Sequence, residues 1–126
     1  MAAQGDRLFE QLFERTSDPV YIVDPIVDRI LDANRAGCAM LGYTRDELLA
    51  LPMSHIHPAE IGQMRDFVET VLRDGHGSTI ALTCRTKRGD FLPTEMSLYR
   101  VVSEGRVCIL GLVQDRSEHR QPDPRD

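Results

Sequence analysis

The stretch from Leu82 to Val102 sets apolar and polar residues in alternation on both sides of Lys87-Arg88-Gly89-Asp90, and no other feature constrains the fold as strongly. A period of two makes a strand with one buried face, and a tight polar turn between two such runs folds them into an antiparallel hairpin. A third run, Arg106 to Gln114, follows Ser103-Glu104-Gly105, so the last third of the chain predicts a meander with strands at roughly Ser78–Thr86, Phe91–Val102 and Arg106–Gln114. Leu82, Cys84, Leu92, Thr94, Met96 and Leu98 take its inner face, and Thr83, Arg85, Glu95, Ser97 and Tyr99 its outer face. The last strand departs from this rule: Val107, Cys108, Ile109, Leu110, Leu112 and Val113 are apolar on both faces, so its outer side needs a cover.

Upstream, the periodicity changes to that of helices. Leu8, Phe9, Leu12 and Phe13 fall on one side of a helix running from about Asp6 to Thr16. Val20–Val23 and Asp28–Ala33 predict two short strands around the Asp24-Pro25 turn. Asn34 is placed to cap a short helix with Ala36, Met40 and Leu41 inward and Gly42 as its left-handed terminator. Thr44 and Glu47 have the spacing of a capping box ahead of Leu48, Leu49 and Leu51. From Pro58 to Gly75, Ile61, Met64, Phe67, Val68, Val71 and Leu72 recur at threes and fours, which predicts one long amphipathic helix. Strands at both ends with helices between them make an α+β domain, with the helices on one face of the sheet.

At 126 residues, 41% of them hydrophobic, the chain suffices for one core and is short for two. The net charge is −5 and the 15 Lys and Arg are scattered, so nucleic acid is not an expected partner. No window has the apolar length of a membrane span and the N-terminus lacks the pattern of a secretory signal, so a cytoplasmic location is expected. Cys38, Cys84 and Cys108 are widely spaced and read as buried free thiols. His55 and His57 form no closed metal set, having no cysteine or carboxylate fixed beside them. Neither a nucleophile elbow nor a phosphate-binding loop occurs, and no catalytic residues are assigned.

Several separate stretches then carry a resemblance. A strand ending at Asp24, the Asn34 and Ala36 of a helix start, the Gly42-Tyr43 pair, and Glu47-Leu48 stand in the order of the PAS sensory domain family. His57-Pro58 resembles the start of that family's long helix, Arg88-Gly89-Asp90-Phe91 its last-but-one hairpin, and Asp115-Arg116-Ser117 its Asp-x-Thr exit. The resemblance covers about Leu8 to His119, and departs from the family at Ser117 and in the turn from Asp24 to Arg29, which lacks the usual glycine. It implies a five-stranded antiparallel sheet curled around short helices and one long helix, with a cavity between them. Residues 1–17 would then be an N-terminal amphipathic helix, 18–117 the PAS core and 118–126 a linker or tail.

The resemblance also implies a sensor module, the input domain of a signalling protein such as a sensor histidine kinase or diguanylate cyclase. Its cavity would take a small apolar or amphipathic ligand, lined by Ile22, Met40, Ile56, Met64, Phe67, Val71, Leu82, Thr94, Met96 and Leu98. Flavin is not expected, because Met53–Pro58 lacks the reactive cysteine of the family's photoreceptors, and haem is not expected from a long helix without histidine. His76 with Met96 stays open as an unusual haem pair. Glu47 with Lys87 and Arg88 would form a structural ion pair. The alternative is a ligand-free interaction module, a homodimer joined through Leu8, Phe9, Leu12, Phe13, Leu110 and Leu112. In either case Asp115 and Ser117 would relay the signal into a following helix and an output domain or partner protein, although Pro122 stops any helix after about one turn.

Overall fold

Each short helix begins where a side chain can take up a free amide. In the computed structural model, which describes residues 2–57 and 60–119, Asn34 caps α2 (Arg35–Leu41) by accepting from the Gly37 amide, and Gly42 ends it at φ 83°. Thr44 and Glu47 close both halves of a capping box on α3 (Arg45–Ala50). A 3₁₀ turn, Met53–His55, leads toward α4 (Ile61–Asp74), which Gly75 ends at φ 96°. The predicted start of α4 at Pro58 lies outside the described residues.

The strands are β1 (Val20–Asp24), β2 (Arg29–Ala33), β3 (His76–Thr79), β4 (Thr83–Arg85), β5 (Phe91–Ser103) and β6 (Arg106–Asp115), all paired antiparallel. Their order across the sheet is β2-β1-β6-β5-β3, with β4 also on β5. The strand predicted at Ser78–Thr86 is thus two. The chain leaves the ladder between Thr79 and Thr83, where Ile80 is 60% exposed, then returns to β5. The break lets one edge of the sheet curl while β5 stays continuous.

Two turns hold a residue other than glycine at positive φ. Asp28 sits at φ 57° in the β1–β2 turn, where the resemblance leads one to expect glycine, and its carboxylate accepts from the Ser54 amide (2.9 Å) and hydroxyl (2.6 Å). Aspartate tolerates the left-handed region, and its side chain fastens the turn to the 3₁₀ segment. Glu104 at φ 53° and Gly105 at φ 75° form the two-residue β5–β6 turn.

The core lies between the inner sheet face and α2 to α4, and Leu41, Leu48, Val71, Met96 and Ile109 are at most 1% exposed. In α2 it is Gly37 and Leu41 that are buried, with Ala36 and Met40 half-buried. Helix α1 (Ala2–Arg15) begins earlier than the periodicity suggests. Of its apolar stripe, Phe13 is buried while Leu8 and Leu12 are 57% and 63% exposed. The helix touches α2.

Candidate functional site

The pleat decides what faces inward. On β1, Tyr21 and Val23 line an internal cavity, and on β6 Ile109, Gly111 and Val113 do so, two residues apart as a strand requires. Ile56, Met96 and Leu98, expected in the lining, are there. Ile22 lies between two inward residues and pairs with Leu110 on the outer face, so its expected place in the lining is corrected by strand parity. Val71, Leu82 and Thr94 are buried behind the wall; the Thr94 hydroxyl donates to the Leu82 carbonyl at 2.7 Å. Phe67 on α4 and Met40 on α2 pack half-buried against the core without reaching the cavity.

The cavity has a volume of about 40 Å³. Room for a water or two follows, far below the ~300–1,000 Å³ of sites that enclose a drug-sized ligand or an organic cofactor. Haem and flavin do not fit these walls. His76, in β3 opposite Tyr99, is exposed on the outer face while Met96 is buried inside, so the pair left open for haem is not brought together.

Outside the wall is a larger groove, about 390 Å³, between the β1–β2 turn, the 3₁₀ segment and α4. Met64, expected in the cavity, lines this groove with Ile61 and Val68, and Arg65 and Asp28 stand at its rim. Met53 and His57 border both spaces. His57 is buried, and its Nδ1 lies 2.8 Å from the Thr83 carbonyl; a carbonyl only accepts, so Nδ1 carries the proton and donates. Burial pushes its pKa below the ordinary 6.5. The Thr83 amide and hydroxyl donate to Glu60 at 2.7 and 2.9 Å, so one residue of β4 holds the chain on both sides of 58–59. The sequence explained His57 only as part of a helix start. Its role as a shared wall needed the β4 register, which periodicity does not supply. Among the described residues no group of three or more His, Cys, Asp and Glu could hold a metal.

Lys87 Nζ donates to Glu47 at 2.6 Å, tying α3 to the β4–β5 turn, and holds the Glu47 carboxyl below its ordinary range; Arg88 is exposed and takes no part. A second tie was not foreseen: Arg106 Nε donates to Asp24 at 2.7 Å and lowers its pKa, joining two turns at one end of the sheet. At the exit, Asp115 accepts from the Ser117 amide (2.9 Å) and hydroxyl, capping a 3₁₀ turn, Arg116–His119. On the outer sheet face Leu110 is half-buried, Leu112 is 37% exposed and Tyr99 is 41% exposed. Cys84 and Cys108 are buried and Cys38 half-buried, all as free thiols. Among the described residues no helix is long and apolar enough to cross a membrane.

Comparison with known proteins places this architecture. A domain of a sensory box sensor histidine kinase/response regulator from Geobacter sulfurreducens superposes with a TM-score of 0.70 at 28% identity, covering 91% of this chain and 97% of that one. A PAS domain from Colwellia psychrerythraea superposes at 0.77 with 18% identity, over 86% of this chain and 94% of the other. In sequence, the methyl sulfide methyltransferase-associated sensor of Methanosarcina acetivorans is 23% identical over 119 residues, 94% of this chain; the chain spans 12% of that relative's length. The family described as the PAS fold matches residues 7–116, and with that match over most of its length the chain belongs to the PAS family of sensory domains.

Proposed function

We propose that this PAS domain is a cytoplasmic input module of a larger signalling chain, and that it works by self-association. The observation that carries the reading is the pair of leucines on α1, Leu8 and Leu12, left open to water, as are Tyr99 and Leu112 on the sheet. Covering one leucine is worth about 1.5–3 kcal/mol before ordering costs. A second copy of the chain offers matching apolar surface. Sensor histidine kinases among the relatives suggest a kinase as the output, reached through Asp115 and Ser117. The test is the native mass of the chain: wild type is expected at twice the monomer mass and Leu8→Glu/Leu12→Glu at the monomer mass. Equal masses overturn the reading.

The groove supports a second reading, in which a small amphipathic ligand lies over Ile61, Met64 and Val68 with its polar end at Arg65. Native mass spectrometry should then find an added mass on the purified protein, and Ile61→Trp, which crowds the groove from an exposed position, should remove it.

A further inference from the structure

We propose that Asn34 is a coupling joint between the wall of the internal cavity and the N-terminal helix. Its side chain has no exposed surface and uses its full hydrogen-bonding capacity. Oδ1 accepts from the Val20 amide at 2.9 Å and the Gly37 amide at 2.8 Å, while Nδ2 donates to the carbonyls of Phe13 and Asp18, both at 2.9 Å. Three elements thus meet on one amide: β1, the start of α2 and the end of α1. Capping α2 needs only the bond to Gly37; the two donated bonds do something else.

On the cavity side the path begins at Tyr21, whose ring lines the wall and whose hydroxyl donates to the Gly37 carbonyl at 2.7 Å. There is no slack at Gly37. A Cβ there would stand 3.0 Å from the Tyr21 ring and 3.1 Å from Asn34 Oδ1, so these three residues move together. At the far end, Leu8 and Leu12 of α1 are exposed, and the buried Phe13 is the residue whose carbonyl Asn34 binds. When Tyr21 shifts, Asn34 must follow or leave a buried donor unpaired, and the second course is costly. The helix therefore follows the wall. The other donated bond, to Asp18, is next to Pro19, whose carbonyl accepts from the Val113 amide at 3.1 Å, so the joint also stands beside the C-terminal exit.

This inference gives the proposed α1 surface its input, but it concerns a single chain, so its test is run on the Leu8→Glu/Leu12→Glu background where self-association does not protect the helix. Hydrogen exchange is followed at α1 amides 10–15, with β6 amides as the measure of an intact core. Asn34→Asp keeps both accepted bonds and replaces both donated ones by an oxygen set against two carbonyls, and Tyr21→Phe removes only the hydroxyl. Tyr21→Phe is expected to speed α1 exchange roughly five- to tenfold, the scale of one hydrogen bond, and Asn34→Asp by more than that, with β6 unchanged. The double variant should be no faster than Asn34→Asp alone. The proposal is overturned if α1 in Tyr21→Phe exchanges at the parent rate, or if the two effects simply multiply. Should Asn34→Asp fail to fold, the Tyr21→Phe rate decides alone.

Discussion

Burial keeps His57 neutral at a pH where the unfolded chain would charge it, and this sets a direction. Because the folded pKa is depressed below 6.5, stability is complete above pH 6.5 and is lost as pH falls from there toward the folded value. Asp24 and Glu47 are also depressed, from 3.8 and 4.5, so their losses begin only at more acid pH. Urea midpoints at pH 7.5 and 5.5 should therefore differ, and His57→Gln should flatten the difference; an unchanged slope would remove His57 as the cause. Burial also pushes the Cys84 thiol up to about 12. Burial raises the Cys38 thiol as well, but that side chain is only half-buried; since the thiolate is the nucleophile, Ellman's reagent should label Cys38 slowly in the native protein and reach Cys84 only on unfolding. Sequence alone marked the cysteines as free. It could not rank them, because burial of a single side chain depends on what crosses over it.

At the scale of elements, the caps were the most legible part. Asn34, Thr44 with Glu47, Gly42 and Gly75 stand where the free ends of helices need them, and those needs are local. Thr44→Ala should cost about 1 kcal/mol in chemical denaturation. Non-local features were hidden. The break between β3 and β4 and the bond from Asn34 to the Phe13 carbonyl of α1 leave no periodic trace. Ile22 was assigned to the wrong face because a short run apolar at every position hides its parity. The β5–β6 turn gives an element-scale prediction of opposite sign. Glutamate pays for the left-handed conformation at position 104 where asparagine is at ease, so Glu104→Asn should raise stability by about 0.5–1 kcal/mol, seen as a higher denaturation midpoint.

For the molecule as a whole, the order of strands and helices carried the fold class, while the volume enclosed stayed invisible until the walls could be placed. Ten residues were expected around a cavity, and Ile56, Met96 and Leu98 meet there, because inwardness is written in the pattern but distance is not. The sheet order has one more consequence. Val20 pairs with Leu112 and Val23 with Ile109, so the domain's first strand finds its inner neighbour only in the domain's last strand. A growing chain halted before Arg106 would leave β1 with an open edge and β5 without its longest partner. Nascent chains arrested at successive lengths should therefore stay protease-sensitive until the final strand clears the ribosome, and then acquire resistance in one step.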